Sequence, residues 1–337
     1  MEQHLARGDR VRALVRREDP ALRDLGVEQR LGDLRDAEAV RAACSGVEVV
    51  QHVAGLAGIW GPWRDYFAVN VRGTENVLSG CMRHGVGRLV FTSSPSVTFD
   101  GRPQEGINES APYPSRWLCH YPHSKALAEQ IVRAAANNSF RTCSLRPHLI
   151  WGPRDQHLIP RLLARARRGQ LRRIGDGTNR IDMVYVENAA AAQLLAADAL
   201  DARPEISGRA YFISQGEPVN CWQWIDEILD LAGLPPVARS LSLRTAYALG
   251  ATLEAVHTVL RIRSEPRMTR FLAAQLGVSH YFSIARAQAD LHYRPRVPTV
   301  EGMKRLAASL SIYDCLSGCA AQELPPAAQP SAPGVTR

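Results

Sequence analysis

Lysine is nearly missing from this chain. Lys125 and Lys304 are the only two in 337 residues, while lysine and arginine together number 41, so 39 of these cations (41 less 2) are arginines. Such a balance reflects codon usage more than function, and it makes the placing of Lys125 informative. Long apolar runs are missing too, so no bilayer-spanning helix is expected. The start, Met1 to Arg12, mixes Glu2, Arg7, Asp9 and Arg10 among few apolar residues and does not read as a secretory leader. The seven cysteines, at 44, 81, 119, 143, 221, 315 and 319, lack the paired spacings of a zinc site or a disulfide framework. They read as reduced thiols in a cytoplasm, with no metal implied and with Cys315 and Cys319 incidental. The formal charge is +8, yet the basic residues do not cluster with aromatics as a nucleic-acid groove requires. No nucleic-acid partner is expected, and a polyanionic cofactor is the smaller claim.

From Arg10 to about Ile150, short β-branched runs alternate with helical patterns, the signature of βαβ units and a parallel sheet. Arg10–Val15, Val47–His52, Arg88–Ser93 and Thr142–Leu145 read as buried strands, with a weaker one at Val27–Leu31. Asp36–Cys44, Asp65–His84 and Pro122–Asn137 read as helices, the first two stopping at Gly46 and Gly85. The fold class is therefore α/β, a Rossmann-type doubly wound parallel sheet with a smaller, mostly helical substrate domain. The boundaries are 1–155 for the dinucleotide-binding domain and 156–312 for the substrate domain, some of whose segments return to the sheet. In the second part, His157–Arg168, Trp222–Ala232 and Leu241–Ile262 read as helices and Ala210–Ser214 as a strand. The proline-rich stretch 313–337 cannot bury enough surface to offset its ordering entropy and reads as a disordered tail.

The sharpest chemical feature is Tyr121-Pro-His-Ser-Lys125. Residues four apart on a helix share a face, so phenol and ammonium reach one small volume. A free tyrosine has a pKa of about 10, so a nearby cation is needed to stabilise its phenolate. Upstream, the strand Leu89-Val90-Phe91-Thr92-Ser93-Ser94 ends in hydroxyls, at the end of a strand where open α/β sheets carry their chemistry. Ser94 is placed to bind a carbonyl oxygen. Read alone, the two serines serve as strand-end caps; followed by the Tyr/Lys helix, they read as part of a site.

These residues resemble the extended short-chain dehydrogenases, and within them the 3β-hydroxysteroid dehydrogenase/isomerase-like family. The matching pieces run in order: Gly32-Asp-Leu34, His52-Val-Ala-Gly55, Asn70-Val-Arg-Gly-Thr74, Thr92-Ser-Ser94, Tyr121-Pro-His-Ser-Lys125, Leu145-Arg-Pro147 and Trp151-Gly-Pro-Arg-Asp155. The resemblance implies an NAD(P)-dependent oxidoreductase in which Tyr121 is the proton donor, Lys125 lowers its pKa and binds the nicotinamide ribose, and Ser94 orients the carbonyl. Ser93 is the lesser candidate for that last role. By the same resemblance Asp33 and Leu34 flank the adenine, Ala54 and Gly55 face the phosphate-ribose stretch, and Pro147 contacts the nicotinamide. Asn70, Ser93 and Tyr121 join Lys125 in the cofactor-binding set, although a helix-start position also accounts for Asn70.

One family element is missing from this sequence. Members begin with a strand and a Gly-rich turn opening a helix that holds the pyrophosphate. Here Met1–Arg7 reads as the tail of that helix and Gly8-Asp9 as the loop into the second strand, so about twenty residues are expected to be absent from the front. Either the start codon was placed too late or the chain is a true truncation with weakened cofactor affinity and stability. The end of the second strand bears on the cofactor: Val15 stands where an NAD enzyme carries an acid, and Arg16 and Arg17 follow, which favours NADP(H) over NAD(H).

Downstream, Arg146-Pro-His-Leu-Ile-Trp-Gly-Pro153, Ile174-Gly-Asp-Gly-Thr-Asn179, Tyr211-Phe-Ile-Ser-Gln-Gly-Glu-Pro218 and the 239–247 and 269–272 segments resemble the bacterial 2-alkyl-3-oxoalkanoate reductases of long-chain olefin biosynthesis. That implies NADPH-dependent reduction of a branched β-keto acid to the 2-alkyl-3-hydroxy acid. The alternatives are an NAD-dependent 3β-hydroxysteroid or sterol dehydrogenase and, from another class, a non-catalytic nucleotide-binding or scaffold protein. The helix 241–262, with Tyr247, Leu249, Leu253, Val256 and Leu260, supplies an apolar substrate surface, packs on the core, or meets a membrane surface with help from Arg244, Arg261 and Arg263. Trp60 and Trp63 line the substrate mouth or pack inward. His120, His123 and His148 read as loop-orienting residues. Expected partners are a lipid-like small molecule, other enzymes of the same pathway, and a second copy of the chain through the 65–84 and 122–137 helices.

Overall fold

The β-branched runs become parallel strands because their residues are buried on both faces. The computed structural model describes residues 1–320, with side chains through 310. Its principal strands are β1 (Arg12–Val15), β2 (Glu28–Leu31), β3 (Val49–His52), β4 (Arg88–Thr92), β5 (Gln104–Ile107), β6 (Arg141–Pro147), β7 (Arg180–Ile181), β8 (Arg209–Ile213), β9 (Val219–Asn220) and β10 (His280–Phe282). The central sheet runs β8-β6-β4-β3, every pair parallel. In β4, Leu89 and Phe91 face one core while Val90 faces the other, the two-sided burial of a doubly wound sheet. Strands β1 and β2 form a second parallel pair, with Arg12 opposite Glu28. Among the described residues no ladder joins the two pieces.

The helices that cover the sheet are α1 (Ala37–Ala43), α2 (Gly73–His84), α3 (His120–Ala134) and α4 (Val186–Ala202). Val40 of α1, Val77, Leu78 and Cys81 of α2, and Ala128 and Val132 of α3 share one core with Leu89 and Phe91. On the opposite face, Ala192, Ala196 and Leu200 of α4 pack with Val90, Leu145 and Tyr211. Helix α2 stops at Gly85, whose φ of +65° lets Val86 N–H reach Cys81 O at 2.9 Å.

Past Trp151 a separate core gathers Trp151, Trp222, Trp224, Ile225 and Ile228. The small sheet β9-β7-β10-β5 lies in this part, with β9 antiparallel to β7 and β10 parallel to both β7 and β5. Helices α5 (Leu243–Val259), α6 (Arg270–Gly277) and α7 (Thr299–Ala320) complete it. Helix α7 extends to Ala320, and the rest of the expected tail, 321–337, lies outside the described residues.

Two expectations need correcting. The helix expected over 65–84 is three segments, α-helical at Trp63–Tyr66, π-helical at Phe67–Arg72 and α-helical again as α2. Asn70 therefore lies inside a π segment rather than at a helix start, and capping does not account for it. Helix α5 leaves most of its large apolar residues off the core, for Tyr247, Leu249, Val256 and Leu260 are exposed while Leu243 at its start packs against the buried clusters. It docks instead through Ala246, Gly250 and Glu254. A Cβ on Gly250 would come within 2.6 Å of the Thr269 backbone, so only glycine allows the approach to α6.

Candidate active site

Strand β4 ends where α3 begins, and the chemistry predicted from sequence gathers there. Ser94 follows β4 and caps the 3-10 turn Pro95–Thr98, its Oγ accepting from Ser96 N–H at 3.3 Å. Tyr121 stands in the first turn of α3, and the Ser94 side chain acts on its phenol. Burial pushes the phenol above its ordinary pKa, the Ser94 side chain pulls it back, and Cys119 adds to the rise. The phenol is thus protonated at neutral pH.

Lys125, one turn further along α3, is buried with its Nζ donating to Thr92 O at 2.5 Å and standing 4.1 Å from the centre of the Phe91 ring. Desolvation brings its pKa down to about 7, partly opposed by Glu129. The neighbouring His52 is driven to about 3 by burial and by the Lys125 charge, so it is neutral. Lys125 thus reaches the strand end beside the serines, and the groups acting on the Tyr121 proton are burial, Ser94 and Cys119.

Asn70 ties this cluster together. Its Nδ2 donates to Ser124 Oγ at 2.8 Å and to Leu56 O at 3.0 Å, and its Oδ1 accepts from Leu56 N–H at 2.6 Å. Ser124 Oγ in turn donates to Tyr121 O at 2.8 Å. A Cβ on Gly55 would stand 3.1 Å from Asn70 Oδ1 and 3.8 Å from Lys125 Nζ. The exposed Ala54–Gly55 backbone therefore lies flush over Asn70 and Lys125, a surface that a flat ring or ribose can approach. Pro147 ends β6 two residues past Leu145, whose partner is Thr92, and so stands level with Ser94. Ser93 is buried, its N–H donating to Leu145 O.

The remaining predicted cofactor residues cluster at the other sheet piece. Arg16 and Arg17 follow β1 and are exposed. Asp33, at the end of β2, is held at about 2 by hydrogen bonds from Arg35, with Arg16 contributing through its charge. Leu34 packs against Gly73, where a Cβ would come within 2.9 Å of it. This group lies at the ends of β1 and β2, and the Ser94, Tyr121 and Lys125 group at the end of β4. Among the described residues no glycine-rich turn opens a helix between them.

Several site features were not found from the sequence. Glu129 and Arg146 form a buried ion pair with bonds of 2.5 and 3.0 Å, and Tyr113 donates to Glu129 at 2.7 Å. Burial alone would raise Glu129, but Arg146 holds it below the usual carboxylate range. Trp63 and Trp117 stack on His123 at 4.6 and 5.2 Å, placing the imidazole between two indoles beside Tyr121. Trp60 instead bonds Ile262 O and meets His257 edge-on. His148 is tied to Asp182 at 2.6 Å and packs against His280.

Comparison with known proteins decides the family. The model of the 3-beta hydroxysteroid dehydrogenase/isomerase family matches residues 5–243. The chain belongs to that family. It is accordingly an NAD(P)-dependent oxidoreductase. Within the 3-beta hydroxysteroid dehydrogenase/isomerase family it is 46% identical over 314 residues to a 2-alkyl-3-oxoalkanoate reductase of Shewanella oneidensis, covering 91% of this chain and 81% of that protein. It is also 46% identical over 305 residues to a 2-alkyl-3-oxoalkanoate reductase of Stenotrophomonas maltophilia, covering 90% of this chain and 92% of the relative. Among solved structures, gox2253 superposes with a TM-score of 0.74 at 25% identity over 93% of each chain.

Proposed function

We propose that this family member reduces the ketone of a long-chain 2-alkyl-3-oxoalkanoate to the corresponding 2-alkyl-3-hydroxyalkanoate, as a step of olefin biosynthesis. The observation that carries the reading is the placing of Ser94 and of the Tyr121/Lys125 helix at the carboxyl end of a parallel sheet, where Lys125 reaches Thr92, in a chain 46% identical over most of its length to two proteins named for that reaction. A nicotinamide cofactor, when bound, supplies the hydride. Ser94 donates a hydrogen bond to the ketone oxygen and Tyr121 gives its phenolic proton to the oxygen as negative charge develops there. Lys125, anchored at Thr92, holds the nicotinamide ribose, and its ammonium offsets the negative charge left on Tyr121 when the phenolic proton has gone to the ketone oxygen. Gly55, Ala54 and Asn70 form the floor beneath the ribose, and Pro147 bounds the nicotinamide.

The preferred cofactor is NADPH. Its 2′-phosphate needs cations where NAD needs a carboxylate, and the exposed Arg16 and Arg17 directly follow Val15 at the end of β1. Asp33 is engaged by Arg35 and so is not free to fill the acidic role. The exposed Tyr247, Leu249, Val256, Val259 and Leu260 of the α5 region, with Arg244, Arg261 and Arg263 near them, suit peripheral contact with a lipid surface by an otherwise cytoplasmic homodimer.

Substrate profiling tests the assignment. Purified protein should consume NADPH in the presence of a 2-alkyl-3-oxoalkanoate and oxidise the matching hydroxy acid in reverse. Oxidation of 3β-hydroxysterols with NAD, together with indifference to 2-alkyl-3-hydroxy acids, would overturn it.

A further inference from the structure

Between the loop carrying Gly101 and the first turns of α5 lies a cavity of about 310 Å³, lined by Gly101, Leu243, Arg244, Tyr247, Ala248 and Ala274. Arg244 supplies its one charged side chain. Ala274 also belongs to a buried apolar cluster with Phe99, Phe271 and Val278, against which Leu243, Ile59, Leu118 and Cys119 pack. That cluster borders the site on two sides. Phe99 closes the turn that Ser94 opens, and Leu118 and Cys119 lead directly into the first turn of α3, where Tyr121 stands. A Cβ on Gly101 would sit 3.1 Å from Leu118 Cδ1, so the bare glycine lets the cavity wall lie against the residue that feeds the catalytic helix. The apolar cluster thus lies between the cavity lining and the turns that carry Ser94 and Tyr121.

We infer that this cavity seats one of the two alkyl chains of the substrate, with the ketone held at Ser94 and Tyr121; the inference rests on the reductase reading above. Ligand sites span about 300–1,000 Å³, and a volume at the low end suits one hydrocarbon chain and leaves the second to another surface. The walls offer hydrocarbon and aromatic contact, which is what an alkyl chain needs. Tyr247 and Ala248 sit on the exposed side of α5, so the chain enters from the face that carries the other exposed apolar residues. Each methylene held there raises kcat/KM about fourfold, from about 0.8 kcal/mol per buried CH₂.

Two variants at exposed positions test this. Ala248→Phe fills the cavity and Tyr247→Ala enlarges it. Binding of dodecanoic acid to the full chain is measured by calorimetry, and kcat/KM is followed across a series of 2-alkyl-3-oxoalkanoates that differ in chain length. The expected result is dodecanoate binding weakened about tenfold or more in Ala248→Phe, a flattened dependence of kcat/KM on the length of one chain, and a shift toward longer chains in Tyr247→Ala. Turnover of the ketones with the same chain-length dependence in all three proteins overturns the subsite and leaves the reductase reading standing. Failure of the unsubstituted protein to turn over any of the ketones, with dodecanoate binding still lost in Ala248→Phe, overturns the reductase reading and with it the assignment of this cavity to substrate.

Discussion

The side-chain amide of Asn70 donates to Ser124 Oγ at 2.8 Å and grips the Leu56 backbone through both its nitrogen and its oxygen. One buried residue thereby fixes the loop after β3 to the helix that carries Tyr121 and Lys125. The π segment makes this reach possible, since its wider turn places residue 70 toward α3 while Thr74 Oγ1 donates to the Asn70 carbonyl at 2.6 Å. Thr74 is itself bonded to the neutral His52 at 2.9 Å.

Replacing Asn70 by Ala should therefore cost stability and cofactor binding together. Each buried group left unpaired costs about 1–3 kcal/mol, and the Leu56 N–H, the Leu56 carbonyl and Ser124 Oγ all lose a partner. Thermal unfolding should show a fall of several degrees, and NADPH titration by fluorescence a weaker affinity than for the unsubstituted protein. An unchanged melting temperature would mean that the loop is held by other contacts.

Tyr121 and Ser94 should separate from the binding residues in kinetics. Loss of a general acid typically costs about 100- to 10,000-fold in rate, and loss of one oxyanion donor about 100- to 1,000-fold. Tyr121→Phe and Ser94→Ala should fall in kcat within those ranges while NADPH affinity stays within a few-fold of the original. Because burial raises the phenol's pKa, ketone reduction by the unsubstituted protein should not lose its Tyr121 proton as pH rises from neutral toward 10.

Lys125 makes a stability prediction of definite sign. Unfolded, the amine keeps its proton up to about 10.5; folded and without cofactor, it releases it near about 7. Across that window the unfolded chain binds more protons, so stability rises with pH. Below about 7 the cost of burying the ammonium is present in full. Denaturant unfolding of the cofactor-free protein and of Lys125→Met should show the unsubstituted protein gaining on the variant as pH is raised from 7 to 10, with the variant inactive throughout. A constant difference between the two would mean that Lys125 is well solvated.

The central strands, and the approach of Ser94 and Lys125 to the end of β4, were legible because each has a local signature, whereas the expected action of Lys125 on the Tyr121 proton is not seen: burial, Ser94 and Cys119 act on it. A strand buried on both faces is a short apolar run, and i,i+4 spacing on a helix brings two side chains together. The segment 67–72 was not legible, since an α-helix and a π segment share the same propensities and differ only in hydrogen-bond register. Glu129 and Arg146 meet only when α3 and β6 are packed face to face, which no local spacing encodes. The stack of Trp63, His123 and Trp117 joins three segments whose meeting no local pattern encodes. In the middle of α5 Ala246 and Gly250 face inward while Tyr247, Leu249 and Val256 stay outside, because close helix approach at Gly250 leaves no room for bulk.

The most direct test is isotopic. Purified protein is given NADPH deuterated at the transferable position and a 2-alkyl-3-oxoalkanoate, and the product is examined by mass spectrometry and NMR. The account predicts a single deuterium at C3 of the hydroxy acid and its near disappearance, at equal time, in Tyr121→Phe. A product without label at C3, or formation of labelled product by Tyr121→Phe at the original rate, would contradict it.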